Sequence, residues 1–242
     1  MNSYRVESVS VLDIGPERAT NQDRLLARRL GPDLHFFSVL DGLGGQPGGE
    51  EAAETACAVF SAFSPTGPEA AYTSRLTDVL FRANAAIIAR GDAEPDLYNM
   101  GTTATLLLIA GNWAHWAHIG DCRLYLVRNG FLTRVTTDHN LAGELLERGE
   151  TGPGGSSVRF DLFLSQCLGE DDIEPESGTF PLAAGDRLLL CTDGVHGRLC
   201  DEDIARILTT GGGLKKRAET LLTAALQAGG DDNIGLILLQ LQ

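Results

Sequence analysis

Three aspartates share one local setting. Asp41 follows FFSVL and precedes Gly42, Asp193 follows LLLCT and precedes Gly194, and Asp232 stands in GGDDNIG before the closing apolar run. Each sits where a buried apolar strand meets a glycine-containing turn. The strand anchors the carboxylate and directs it from the sheet edge into a cleft, and a neighbouring glycine lets a backbone carbonyl approach a ligand closely. Carboxylates gathered without a cation repel one another, and their pKa values rise. A hard divalent cation removes that conflict, and an all-oxygen donor set favours magnesium or manganese over zinc. One Asp-Gly alone is most simply a turn. Three aspartates at strand ends, taken with the motifs below, point to a metal site.

The elements that must position them read as follows. Residues 4–13 alternate and predict a strand, with a second short strand over 24–29 and a buried one over 34–41 that ends at Asp41. GLGGQPGG, 42–49, must be a loop. Helical spacing covers 50–63 and 69–90. Four closely spaced strand-like runs follow, 102–110, 112–119, 122–128 and 131–136, a pattern of antiparallel hairpins rather than βαβ units. Asn129-Gly130 is a strong hairpin turn between the last two. Residues 140–149 suggest a short helix, and 149–160, rich in Gly, Pro and Ser, reads as a mobile surface loop. A strand at 186–191, helices at 201–210 and 214–228, and a final strand at 233–241 complete the chain. This order predicts an α+β fold of antiparallel sheets packed together and covered by helices on both outer faces.

The 242 residues fit one α/β domain or two small ones, and can bury a sizeable core. With Lys+Arg 19 and Asp+Glu 33, the net charge is 19 − 33 = −14. Such a body repels nucleic acid and anionic membranes, so neither is expected as a partner. An anionic substrate remains possible where bound metal reverses the local field. The opening MNSYRVESVS has no basic stretch followed by an apolar core, and no run of 18 apolar residues exists, so neither a secretory leader nor a membrane span is expected. Cys57, Cys122, Cys167, Cys191 and Cys200 are odd in number, scattered and mostly within apolar runs. They read as buried free thiols of a cytoplasmic protein.

Taken in order, eight segments resemble the PPM family, the metal-dependent type 2C protein phosphatases, in its bacterial form. Arg18-Ala19-Thr20-Asn21-Gln22-Asp23 resembles R-x-x-N-[EQ]-D, and Val39-Leu40-Asp41-Gly42-Leu43-Gly44-Gly45 resembles V-x-D-G-M-G-G. Met100-Gly101-Thr102-Thr103 matches M-G-T-T, Ile119 to Tyr125 resembles V-G-D-S-R-x-Y, and Thr137-Asp138-His139 matches T-x-D-H. Gln166 to Gly169 resembles Q-x-L-G, Leu190 to Gly194 matches L-C-[ST]-D-G, and Asp232-Asn233-Ile234 matches D-N-I. The match runs from Arg18 to Ile234.

The resemblance implies one domain over 1–242, an αββα sandwich with a two-metal site at the edge of its sheets and a short flap segment over about 140–163. It implies hydrolysis of phosphoserine and phosphothreonine in proteins by a water activated between two Mn2+ or Mg2+ ions, opposing a bacterial Ser/Thr kinase, in a monomer. Asp41 is expected to bridge both metals, the Gly42 carbonyl to bind one, and Asp193 and Asp232 the other. Asp23 would orient metal-bound water from behind the ligands, and Arg18 would hold the phosphate through its planar fork. Asp121, with Asp193, would bind a weak third metal; the plainer reading of Asp121 is a turn cap or a pair with Arg123. The short flap and the Asp193-Gly194-Val195-His196 turn also resemble the phosphatases associated with type VI secretion clusters.

The sequence departs from the family pattern without losing a metal ligand. Leu43 stands where some eukaryotic members place a histidine proposed as general acid, Gln46 replaces a histidine frequent in bacterial members, Cys122 replaces Ser, and Gly235 stands where Thr or Ser is usual. Four further signals favour structural roles. His115 and His118 lie three apart, so a strand turns them to opposite faces. Trp113 and Trp116 read as sheet packing. His139 reads as a structural hydrogen-bonder and His196 as loop decoration. Two rival functions are a non-catalytic regulatory domain of the same fold and a small-molecule phosphoesterase or kinase on another fold. Retention of Arg18, Asp41, Asp193 and Asp232 argues against the first, and absence of a P-loop against the second.

Overall fold

The structure, a computed structural model, describes residues 4–43, 48–141, 143 and 164–242. Ten strands form two five-stranded antiparallel sheets. The first has the order β1 (Val6–Asp13), β10 (Ile234–Leu241), β9 (Arg187–Cys191), β6 (Arg123–Arg128), β7 (Phe131–Arg134). The second has the order β2 (Asp23–Gly31), β3 (Leu34–Gly42), β4 (Thr102–Ala110), β5 (Trp113–Ile119), β8 (Glu176–Pro181). Helices α1 (Gly49–Ser61) and α2 (Tyr72–Ala93) pack on the second sheet. The short α3 (Asp193–His196) leads into α4 (Asp201–Thr209) and α5 (Leu214–Gln227), which cover the first sheet.

Strand alternation builds three apolar layers. Phe36 and Leu40 of β3 point to α1 and α2, while Phe37 and Val39 point to the other sheet. Leu189 and Cys191 of β9 point to the outer helices, while Leu188 and Leu190 point inward. β4 and β10 alternate likewise. Strands covered on both faces are near-continuous apolar runs for this reason. Each buried Leu, Ile or Phe contributes about 1.5–3 kcal/mol, so these central strands are the most firmly held parts of the fold. Of these, β3 carries Asp41 at its end, β9 leads to Asp193 and β10 begins just after Asp232.

The predicted αββα sandwich is the observed one, with several corrections. β4 spans 102–110 as expected, and Asn129 and Gly130 both take positive φ, 53° and 82°, as a primed hairpin turn requires. However, β5 and β6 do not form a hairpin. β5 belongs to one sheet and β6 to the other, and the chain crosses between them at Gly120-Asp121-Cys122. Gly120 makes the crossing possible: its φ is 101°, and a Cβ there would run into the Thr103 side chain. β8 was not foreseen. Its six residues alternate between half-buried and exposed, and they pair with β5 at the sheet edge.

Trp116 packs between the sheets as expected, but Trp113, at the start of β5, is 43% exposed. All five cysteines are free; Cys122, Cys167 and Cys191 are buried, Cys57 half-buried and Cys200 exposed. Gly44, Gly45, Gln46 and the predicted 149–160 loop lie outside the described residues, as do most of the 140–149 helix and the 140–163 flap. The last described residues flanking that segment include Asn140 and Leu164, which form an isolated antiparallel bridge.

Candidate active site

The site residues stand where strands end or where the chain passes from sheet to sheet. Asp23 opens β2, directly opposite Asp41 near the end of β3; Asp41 in turn faces Thr103 of β4, and Gly42 faces Thr102. Thr102 Oγ1 donates to the Asp41 carbonyl at 2.8 Å. Asp193 follows β9 and opens α3, Asp232 lies just before β10, and Asp121 lies at the β5–β6 crossing. Arg18 lies on the 14–22 segment that carries the chain from β1 to β2.

Side chains from residues far apart in sequence fix this edge. Asn233 Oδ1 accepts from the Gln22 amide at 2.8 Å, and Asn233 Nδ2 donates to the carbonyls of Ile14 at 2.8 Å and Thr20 at 3.0 Å. One amide side chain thus pins the segment bearing Arg18 beside Asp232. Arg18 Nη2 lies 2.8 Å from Asp232 Oδ2, and Arg18 Nε donates to the Asp231 carbonyl at 3.2 Å. Thr192 Oγ1 donates to Asp23 Oδ2 at 2.9 Å, linking the two sheets. The Asn21 side chain accepts from the Asp23 amide at 3.0 Å.

The electrostatics are those of carboxylates held together. Burial, then the charges of Asp193 and Asp232, push Asp23 up to about 8, against the Thr192 hydrogen bond that lowers it. Asp41 lies well above the usual carboxylate range, first through burial and then through Asp193, Asp23 and Asp121. Burial and the Asp193 charge raise Asp121 well above that range, and burial and Asp232 raise Asp193. The Asp41 and Asp193 carboxyls lie against each other, and burial with repulsion from neighbouring carboxylates raises both.

As these side chains stand, no three His, Cys, Asp or Glu side chains among the described residues close into a metal-holding group. Asp232 is turned onto Arg18, and Asp41 onto Asp193. The donor set still fits a hard cation. Asp23 Oδ1 and Asp193 Oδ1 are buried without a hydrogen-bond partner, a costly condition unless a ligand relieves it. All the donors are oxygens, and the raised pKa values express a repulsion that a cation would remove.

Two expectations change here. Arg123 does not pair with Asp121. It forks onto Asp138, with Nε–Oδ1 at 2.8 Å and Nη2–Oδ2 at 2.6 Å, and this guanidinium holds Asp138 below the usual range even though burial pushes the other way. His196 is more than loop decoration: its Nε2 lies 3.0 Å from the Asp121 carbonyl. His115 and His118 do face opposite ways, to Thr73 and Thr105. His139 is a structural hydrogen-bonder as read, accepting from the Gly120 amide through Nδ1 at 3.4 Å. The roles of Thr192 and Asn233 escaped the sequence reading. Both lie in matched motifs beside a site aspartate, and that adjacency was the available signal.

The fold and the cluster together define a class: an αββα sandwich that gathers oxygen donors and one guanidinium at a single edge, suited to a phosphate ester beside hard cations. The chain belongs to the protein phosphatase 2C family, whose model matches residues 17–228. It is 34% identical over 227 residues to the serine/threonine protein phosphatase PstP of Mycobacterium tuberculosis, a match covering 93% of this chain and 43% of that protein. The chain therefore spans less than half the length of that relative. It is also 34% identical over 236 residues to the protein phosphatase PhpP of Streptococcus pneumoniae, covering 95% of each. The crystal structure of the PstP catalytic domain in complex with two manganese ions superposes with a TM-score of 0.85 at 31% identity, over 98% of each chain.

Proposed function

We propose that this chain hydrolyses phosphoserine and phosphothreonine esters in proteins, with two Mn2+ or Mg2+ ions and a weakly bound third. The observation that carries the reading is the meeting of Asp23, Asp41, Asp121, Asp193 and Asp232 with Arg18 at one edge of a protein phosphatase 2C sandwich. The manganese-bound structure of the similar PstP supports the choice of cation.

Asp41, whose neighbours include Asp23 and Asp193, would supply a carboxylate to both cations. The Gly42 carbonyl would complete one, Asp193 and Asp232 the other, and Asp121 with Asp193 the third. When bound, the cations supply an acidified water for in-line attack and a clamp on the phosphoryl oxygens. Asp23, anchored through Oδ2, keeps Oδ1 for the cleft and orients the attacking water. Arg18 turns from Asp232 to the substrate, where its planar fork holds two phosphate oxygens. Leu43 offers no proton to the leaving serine oxygen.

Residues 1–242 are read as one catalytic domain acting in the cytoplasm on phosphoproteins, against a Ser/Thr kinase, as a monomer. The five free thiols support a reducing compartment. No helix among the described residues is long and apolar enough to cross a membrane. The assay that tests this function compares phosphate release from a phosphoserine peptide and from a nucleotide, with manganese and with EDTA. Manganese-dependent release from the peptide is expected. Release only from the nucleotide, or from neither, would contradict the reading.

A further inference from the structure

Thr192 lies between β9 and the first residue of α3, one position before Asp193. It is fully buried, and Asp23 is only 1% exposed. The Gly235 amide donates to Thr192 Oγ1 at 2.9 Å, which uses the hydroxyl as acceptor. Its single hydrogen goes to Asp23 Oδ2 at 2.9 Å; the competing contact, to the Gly235 carbonyl, is longer at 3.4 Å. Among the described residues no other side chain hydrogen-bonds the Asp23 carboxyl, and Asp23 Oδ1 is buried without a partner. The Asn21 contact fixes the Asp23 backbone and leaves the carboxyl free to turn.

The space beside this carboxyl is also limited. A Cβ on Gly235 would stand 2.9 Å from Asp23 Oδ2 and 3.3 Å from Thr192 Cγ2. Position 235 carries no side chain, so it adds no hydroxyl to the Thr192 contact with Asp23.

We propose that Thr192 is a positioning residue: its hydroxyl, reaching from one sheet to the other, fixes the rotation of the Asp23 carboxyl, so that the oxygen it does not bind is held toward the cleft. This rests on the role assigned above to Asp23. With Oδ2 tied, Oδ1 is left without a partner and would be the oxygen that orients the attacking water. Without the tie, the carboxyl plane is free to turn and the second oxygen is no longer held in one direction. Removing the Thr192 side chain takes away one of the three neighbours of a Cβ at 235 and frees a second, Asp23 Oδ2, to move, leaving Leu25 Cδ2 at 3.3 Å.

The test compares Thr192→Val, Thr192→Ser, Thr192→Ala and the double variant Thr192→Ala/Gly235→Ser. The readouts are manganese affinity by calorimetry, kcat and KM on a phosphopeptide, and the melting temperature without metal. Supporting residues behind metal ligands are worth roughly 10–100-fold in affinity or activity, and a loss of that size in manganese affinity or kcat is expected for Val and Ala, with KM changed less than about two-fold. Ser should stay near wild type, and the double variant should recover part of what Ala loses. Wild-type affinity and kcat in Val, or equal losses in Ser and Val, would overturn the proposal. Losses that track only the melting temperature would also overturn it. Should Val fail to fold, Ala against the double variant decides. A wild-type protein that binds manganese but releases no phosphate would overturn the reaction assigned above, while the affinities would still decide this proposal.

Discussion

Arg18 Nη2 lies 2.8 Å from Asp232 Oδ2, so the guanidinium assigned to phosphate and a carboxylate assigned to metal meet at the sandwich edge. Their side chains are 37% and 30% exposed, and a pair this open to water adds at most about 1 kcal/mol to stability. Its importance is positional. The segment that carries Arg18 is pinned by Asn233, the neighbour of Asp232, so both charges are held by one stretch of chain.

Arg18→Ala should therefore leave folding intact and weaken phosphate handling. A charge-assisted hydrogen-bonded contact is worth about 1.5–3 kcal/mol, so kcat/KM should fall roughly ten- to two-hundred-fold. Arg18→Lys should recover little, because a point charge cannot make the fork. Steady-state kinetics on a phosphopeptide decide it, and full rescue by lysine would show that the fork is not used.

Arg123→Ala should be the more destabilising change. Asp138 is 6% exposed and accepts the Arg123 fork, with Arg134 more distant at 3.4 Å. Breaking a buried pair from one side leaves an uncompensated charge and costs about 3–5 kcal/mol. Denaturant unfolding of the metal-free protein measures this. A loss under about 1 kcal/mol, the size of an exposed pair, would mean that Asp138 keeps its compensation elsewhere.

Asp121→Ala should separate substrates. With Arg123 committed to Asp138, Asp121 is left at the sheet crossing under the field of Asp193, where a third cation would sit. A phosphopeptide has a poor leaving group and needs a proton on departure; an aryl phosphate needs it less. The peptide kcat should fall strongly and the aryl rate less, with two manganese ions still bound in calorimetry. An unchanged peptide rate would remove Asp121 from the reaction.

Acid lability should arise in part at His118. It is fully buried, with Nδ1 2.8 Å from Thr105 Oγ1 and Nε2 3.1 Å from the Thr137 carbonyl, and burial followed by His139 lowers its pKa from 6.5 to about 3. The lowered value means that the unfolded chain binds the proton more readily. The stabilisation is thus complete above pH 6.5 and is lost as pH falls toward 3. Stability at pH 5 should be about 2 kcal/mol below that at pH 7 from this group, and His118→Gln should flatten the dependence. An unaltered slope in the variant would place the acid sensitivity elsewhere.

Much of this was legible in the sequence because local signals and global fold agree. The run LHFFSVLDG declares a strand covered on both faces and the aspartate that ends it, and Asn129-Gly130 declares its turn. β8 was not legible, because ESGTFP has neither a strong apolar alternation nor an apolar run, and its pairing with β5 supplies what its composition lacks. The β5–β6 crossing was misread as a hairpin, since short spacing alone does not show that Gly120 redirects the chain. Pairings such as Arg18 with Asp232 or Thr192 with Asp23 join residues more than 160 positions apart. Only the family pattern hinted at them, by keeping their neighbours.

The central claim is that Asp41 is shared by two cations that perform the hydrolysis. Calorimetric titration of manganese into wild type and Asp41→Asn, with phosphopeptide turnover measured on the same samples, tests it most directly. Two ions bound by wild type, with both binding and turnover lost in the variant, is the predicted result. A variant that still binds two ions and releases phosphate, or a wild type that keeps hydrolysing after EDTA, would contradict it.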